Sequence, residues 1–182
     1  MDRDGTVSHE VGYINHVSRM RPYPFTPDAI RVIQGGGLLA VLVTNQAGVA
    51  RGYFEEDLVR QVHDRLQGIL ALDGVQLDGI YYCPHHPSAG DPPYRCDCNC
   101  RKPKPGMLLQ AAEELDIDLA RSFMVGDKIS DVEMAVEHGL TGVLVKTGYG
   151  RGELEHQSHT WRIRPHFIAE NLLEAAKWIL DN

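Results

Sequence analysis

Leu38-Leu39-Ala40-Val41-Leu42-Val43, closed by Thr44-Asn45, is an unbroken apolar run that ends on two polar residues. It is too short for a buried helix and lacks the alternation of a half-solvated strand, so it predicts a strand covered on both faces. Thr44 then stands at that strand's carboxyl end. Upstream, Thr26-Pro27-Asp28 reads as N-cap, first-turn proline and an acid matched to the helix dipole, which predicts a helix to about Gln34 before Gly35-Gly36-Gly37 stops it. Downstream, Leu58, Val59, Val62, Leu66, Ile69 and Leu70 recur at helical spacing between Glu55 and Leu72.

The same alternation continues along the chain. Strands are expected at Ile80 to Tyr82, Ser122 to Val125, Gly142 to Val145 and, more weakly, His166 to Ala169. Helices are expected at Pro105 to Leu115, Asp131 to His138 and Asn171 to Leu180. Strand and helix in turn, with polar residues just after the strands, predict an α/β fold with a doubly wound parallel sheet whose site lies at the carboxyl ends. Residues 83–103, rich in Pro, Cys and His and without periodicity, read as an inserted loop.

At 182 residues and 43% hydrophobic, the chain suits a single domain, residues 1–182, with a sizeable core. A net charge of -7 argues against broad neutralisation of nucleic-acid phosphates and leaves room only for a local cationic pocket. No apolar run approaches the roughly 20 residues of a membrane span, and the N-terminus lacks the pattern of a signal peptide. A soluble, cytoplasmic protein without nucleic-acid or membrane partners is expected. The absence of an obvious exposed apolar stripe leans toward a monomer. His156, His159 and His166 read as surface or turn residues, and Trp161 and Trp178 as packing residues.

Chemistry is concentrated in four segments: Asp2-Arg3-Asp4-Gly5-Thr6, Thr44-Asn45-Gln46, Arg101-Lys102-Pro103 and Gly126-Asp127-Lys128. A carboxylate can accept a phosphoryl group and pass it to water, and Asp2 is the candidate nucleophile. Side chains two apart on an extended segment share a side, so Asp4 is placed to serve as general acid and then base. Gly5 permits the sharp turn that follows. Asp127, after a short apolar run, would complete a Mg²⁺ site with Asp2 and the backbone carbonyl of Asp4. Asp131 reads either as support for that site or as a solvated first-turn acid. Thr44 and Asn45 are candidate donors to phosphoryl oxygens, and Lys102 a compact charge for the transition state. Arg51 and Arg101 are candidates to hold a second anionic group. Taken singly, Thr-Asn is an ordinary turn and Lys102 a surface cation; their order relative to Asp2 and Asp127 points to a site.

All four cysteines, Cys83, Cys96, Cys98 and Cys100, fall within 18 residues. Cys83-Pro84-His85-His86 followed by Cys96-Asp97-Cys98-Asn99-Cys100 offers enough thiolates and imidazoles for a closed Zn²⁺ site, with Cys96 and His86 open as alternative ligands. Such a site would fold a loop with no apolar core of its own and hold Arg101 and Lys102 at the rim of the pocket.

The ordered set of four segments resembles the haloacid-dehalogenase-like phosphatases from residue 2 to about residue 150. Within them, Cys-Pro-His-His-Pro and Cys-x-Cys-Arg-Lys-Pro-x-Pro-Gly-Met look like the D-glycero-D-manno-heptose 1,7-bisphosphate phosphatases. The resemblance implies a haloacid-dehalogenase-type, Rossmann-like sheet with a zinc loop and no large cap. It implies Zn²⁺ on Cys83, His85, Cys98 and Cys100 with Cys96 as an extra thiol. It also implies nucleophile Asp2, acid/base Asp4, phosphate contacts from Thr44, Asn45 and Lys102, Mg²⁺ on Asp2, Asp4 and Asp127, and substrate contacts from Arg51 and Arg101. The implied reaction is Mg²⁺-dependent hydrolysis of the C7 phosphate of a heptose 1,7-bisphosphate, in supply of nucleotide-activated heptose for cell-surface polysaccharide. Histidinol-phosphate phosphatase is the enzymatic rival, and a zinc-stabilised binding module without catalysis the rival of another class. In the family a buried central strand precedes the first motif, whereas here only Met1 precedes Asp2. A native start upstream, or a truncated form, is therefore expected.

Overall fold

The computed structural model describes residues 1–182. Five parallel strands form two groups. In the first, β1 (Val41–Asn45) pairs with β2 (Gly79–Cys83), Val43 opposite Tyr81. In the second, β3 (Phe123–Gly126) pairs with β4 (Thr141–Val145), which pairs with β5 (Phe167–Ala169). Met1 and Asp2 join the groups: Val43 N donates to Met1 O and Asp2 N to Val125 O, each at 2.9 Å. Beyond them an apolar groove of about 360 Å³, lined by Val41, Val43, Leu108 and Phe123 among others, separates β1 from β3.

Helices cover both faces, as the doubly wound reading requires. On one face α1 (Thr26–Gly35), α2 (Glu56–Leu72) and α6 (Leu172–Asp181) bury Ile30, Leu66, Leu70 and Ala176 against Leu42, Val125 and Val143. On the other, α3 (Gly106–Leu115) and α4 (Ile129–Glu137) bury Met107, Ala111, Met134 and Ala135 against Val43, Tyr81 and Met124. Neighbouring strand residues, Leu42 and Val43 or Met124 and Val125, thus serve opposite cores, which is why the strands read as continuous apolar runs. A single turn, α5 (Gly150–Gly152), leads into the irregular segment before β5. No helix is long and apolar enough to cross a membrane.

Two local readings are corrected. Thr26 does not cap α1; Phe25 holds that position without a side-chain bond, because the buried Thr26 hydroxyl donates instead to Val7 O at 2.7 Å. The strand expected from Leu38 begins at Val41, since its partner β2 begins opposite that residue. Leu38 and Leu39 border the groove, and Leu39 is 49% exposed. The remaining boundaries lie within one or two residues of the periodicity, and Asn171 caps α6 with its side chain. Trp178 stacks on Phe167 with ring centroids 4.7 Å apart, as a packing residue does.

Candidate active site and zinc loop

At the carboxyl ends of β1 and β3, a polar cleft of about 320 Å³ opens above Asp2. Its lining includes Asp2, Asp4, Thr44, Asn45, Arg101 and Lys102, brought together from segments about a hundred residues apart. Lys102 is buried, and its Nζ lies 2.7 Å from Asp2 Oδ1 and 2.7 Å from Asp131 Oδ1. Its aligned hydrogen bond goes to Val43 O at 3.0 Å, so the two carboxylates meet the ammonium as ion pairs and their Oδ1 atoms keep no aligned donor. Burial opposes ionisation of all three groups. For Asp2 the adjacent ammonium outweighs that cost and holds the carboxyl below its ordinary value; Asp131 remains raised, and Lys102 is raised by the two carboxylates.

Asp127 has no such cation within ion-pairing reach. It is fully buried, Oδ2 accepts from Tyr149 N at 2.8 Å, and Oδ1 has no donor. Burial, with Asp2 nearby, pushes its carboxyl up to about 8. The backbone presses close around it: Gly5 has φ +81°, and a Cβ there would stand 2.0 Å from Asp127 Oδ2. A side chain at position 5 would be strained and would occupy the carboxylate's place.

Carboxylate oxygens of Asp2, Asp127 and Asp131 all lie within 4.8 Å of one another. Three buried hard-oxygen donors, one with a wholly unpartnered atom, fit a divalent cation of the Mg²⁺ kind. Asp131 is therefore no solvated first-turn acid. It is buried beside Lys102 and caps α4 through Lys128 N at 3.3 Å, so Asp127 is not the helix cap.

Not every residue singled out from sequence reaches the cleft. Arg51 lies outside its lining, exposed, with Nη2 3.1 Å from His86 Nε2. Arg101 lines the cleft and donates to His85 O at 3.1 Å. The Asn45 side chain is spent on the Lys102 backbone, accepting from Lys102 N at 3.1 Å and donating to Lys102 O at 3.2 Å. It thereby ties β1 to the Arg101-Lys102 segment. Thr44 Oγ1 accepts from Gln46 Nε2 at 2.9 Å, which leaves its proton for a ligand.

Lys128, Glu10, Tyr13 and Tyr149 also line the cleft and were given no role from sequence. Lys128 Nζ sits 4.5 Å from the centre of the Tyr149 ring. Burial lowers its proton affinity, but Asp127, Asp2 and Glu10 more than compensate. Its position directly after Gly126-Asp127 was the available signal; Glu10 and Tyr13 lie in an irregular loop and carried none.

In the inserted loop, ligand atoms of Cys83, His85, Cys98 and Cys100 lie within 4.8 Å of one another. Neighbouring edges include Cys98 Sγ to Cys100 Sγ at 3.2 Å, Cys83 Sγ to Cys98 Sγ at 3.5 Å and Cys83 Sγ to His85 Nδ1 at 3.7 Å. A tetrahedral Zn²⁺ with such ligands has edges of about 3.5–3.8 Å, so the quartet matches it once Cys100, 3.3 Å from His85 Nδ1 and 3.2 Å from Cys98 Sγ, moves outward by a few tenths of an ångström. Cys96 and His86 lie outside the quartet. The zinc loop runs directly into Arg101 and Lys102 and so couples the metal site to the wall of the cleft.

Sequence and fold comparisons show what the chain is similar to. A family model described as HAD-hydrolase-like matches residues 99–175. D-glycero-beta-D-manno-heptose-1,7-bisphosphate 7-phosphatase of Haemophilus influenzae is 47% identical over 157 residues, 84% of this chain and 85% of that protein. D-glycero-D-manno-heptose-1,7-bisphosphate 7-phosphatase of Thermosynechococcus vestitus is 41% identical over 183 residues, covering 98% of this chain and 93% of that one. Among solved structures, D,D-heptose 1,7-bisphosphate phosphatase from B. bronchiseptica, complexed with magnesium and phosphate, superposes with a TM-score of 0.86 at 32% identity, covering 99% of this chain and 96% of the other.

Proposed function

This chain belongs to the D-glycero-D-manno-heptose-1,7-bisphosphate 7-phosphatase family of HAD-like hydrolases, and from that premise we propose that it hydrolyses the C7 phosphate of D-glycero-D-manno-heptose 1,7-bisphosphate. One observation supports the chemistry above the rest: Asp2, Asp127, Asp131 and Lys102 are buried together at the floor of a polar cleft.

Asp2 attacks phosphorus, forming an aspartyl-phosphate as the bond to the sugar oxygen breaks. Asp4 gives that oxygen its proton, so the sugar leaves as a neutral alcohol. Asp4, now a carboxylate, takes a proton from the water that attacks the aspartyl-phosphate, which returns Asp2 and releases inorganic phosphate. Thr44 Oγ1 donates to a phosphoryl oxygen, and Lys102 offsets the negative charge gathered there. Arg101, on the cleft wall, is assigned to the substrate's second anionic end. Arg51, turned toward His86, is assigned there only through a rotation of its side chain. Mg²⁺ would be held by Asp2, Asp127 and the Asp4 backbone carbonyl, with the Asp131 carboxylate close by, and would neutralise charge between the anionic nucleophile and the anionic ester. Zn²⁺ would be held by Cys83, His85, Cys98 and Cys100 and would supply the binding energy that folds the loop.

Asp2 and Asp4 standing together at the cleft, with Lys102 beside Asp2, argue against a catalytically dead binding module. The test is turnover of the heptose bisphosphate and of histidinol phosphate, each with and without Mg²⁺. A higher kcat/KM on the heptose ester is expected, with activity lost when Mg²⁺ is withheld. Faster turnover of histidinol phosphate would overturn the substrate assignment.

A further inference from the structure

Arg3 stands between the two reactive carboxylates and contributes nothing to the steps above, yet it is 1% exposed. A guanidinium removed from water requires a partner for its charge. The geometry supplies one: Nε donates to Asp4 Oδ1 at 3.1 Å and Nη2 to Asp4 Oδ2 at 2.8 Å, a two-point fork. Its outer edge is occupied as well. Nη2 also donates to Gln46 Oε1 at 2.8 Å, and Nη1 lies 3.1 Å from His63 Nε2.

Gln46 closes a ring, its Nε2 donating to Asp4 Oδ2 at 3.0 Å and to Thr44 Oγ1 at 2.9 Å. His63 comes from α2, does not line the cleft, and is 5% exposed. A guanidinium only donates, so His63 Nε2 accepts and the neutral ring carries its proton on Nδ1. Burial, and the charge of Arg3 after it, hold the imidazole neutral by lowering its proton affinity to about 3. Tyr82 packs against the same ring, centroids 5.6 Å apart.

We infer that Arg3 and His63 are positioning residues for Asp4: His63 fixes the guanidinium plane, and the Arg3 fork sets the direction in which the Asp4 carboxyl faces the departing oxygen. The inference rests on the reading of Asp4 as general acid. A side chain free to rotate about its single bonds would meet that oxygen only part of the time; here Oδ2 accepts from both Arg3 Nη2 and Gln46 Nε2 while Oδ1 accepts only from Arg3 Nε, so the carboxyl returns to one orientation with Oδ1 left to carry the proton. Neither Arg3 nor His63 lines the cleft, so neither touches the substrate. Their effect therefore depends on how much the leaving group needs a proton.

The experiment compares kcat/KM, which reports steps up to the first bond cleavage, on the heptose bisphosphate and on 4-nitrophenyl phosphate. The alkoxide of the sugar needs protonation; the nitrophenolate leaves without it. General acid catalysis contributes 10²–10⁴-fold, so His63→Leu is expected to lower kcat/KM on the sugar ester about tenfold or more and on the aryl ester less than about threefold. His63→Gln, which keeps an acceptor for Nη1, is expected to recover most of the loss. Arg3→Lys, which keeps the charge without the fork, is expected to show the same selectivity as His63→Leu. Equal losses on both esters, or no loss on the sugar ester, in correctly folded, zinc-replete His63→Leu would overturn the inference. Asp4→Asn separates the two readings. If Asp4→Asn is selective for the sugar ester while His63→Leu is not, the positioning role alone fails. If Asp4→Asn spares the sugar ester, the acid assignment falls and the inference with it.

Discussion

Replacing Asp127 by Asn is expected to make the Mg²⁺-free protein more stable at alkaline pH and to remove its stabilisation by Mg²⁺. Asp127 is buried with one oxygen lacking any donor, and its carboxyl is raised from 3.8 to about 8. At about 1.4 kcal/mol for each tenfold change in proton affinity, ionising it within the fold therefore costs roughly 6 kcal/mol. The sign follows from proton counting. Between the unfolded value and about 8 the native protein binds the extra proton, so the Asp127 contribution lowers stability as pH rises through that window and is constant above it. Water entry and local relaxation reduce the amount, and a gain of at least about 2 kcal/mol for Asp127→Asn at pH 9 is the expected residue. Below about pH 4 the two proteins should converge.

The assay is urea unfolding from pH 4 to 9 after dialysis into Mg²⁺-free buffer, with zinc content checked so that the loop remains folded. A second series adds Mg²⁺. A ligand at about 100 times its Kd stabilises the native state by about 2.7 kcal/mol, which wild type should gain and Asp127→Asn should largely lose. The reasoning is refuted if both proteins show the same pH slope without Mg²⁺, or if Asp127→Asn is the less stable of the two at pH 9 under those conditions.

Asp2→Asn should abolish turnover while zinc content and near-UV circular dichroism stay as in wild type; full activity in that variant would sink the nucleophile assignment. Lys102→Met should lower kcat by about 10²–10³-fold, the scale of losing one preorganised charge at the reacting centre, measured with saturating substrate. It should also destabilise the Mg²⁺-free protein by about 3–5 kcal/mol, because two buried carboxylates lose their cation. Cys98→Ser should reduce bound zinc from about one ion per chain to near zero and open residues 83–103 to limited proteolysis before the rest of the chain; retained zinc would mean another residue serves as ligand.

Much of the fold was legible because it is written in side-chain chemistry that depends only on near neighbours. Leu38 to Val43 announced a strand covered on both faces, and Leu58 to Leu70 a helix with one buried stripe; β1 takes up the run from Val41 onward and α2 the whole of the second. The two local errors have a common cause. Where β1 begins is decided by where β2 starts to pair with it, and whether Thr26 caps a helix is decided by a carbonyl at Val7, both distant in sequence. Dense cysteine spacing identified the zinc loop for a similar reason, since four soft ligands in a short stretch have few other uses.

The candidate site divides along the same line. Residue types in order offered Asp2, Asp4, Thr44, Lys102 and Asp127 as candidates, because phosphoryl chemistry requires a nucleophile, an acid and charge compensation, and the fold brings these residues to one cleft or its floor. Burial and distance were decided only by the folded chain. Asp131 reads the same on paper whether it is solvated or sealed against Lys102, and Arg3 carries no role in the sequence until Asp4, Gln46 and His63 are seen around it. Arg51, a candidate for a second anionic group from its place in the loop after Thr44, has its guanidinium beside His86 and outside the lining of the cleft. A sequence specifies which groups are available to ionise or donate. Their strength depends on the water removed from them and the charges set beside them, and both are properties of segments that meet only when the sheet closes.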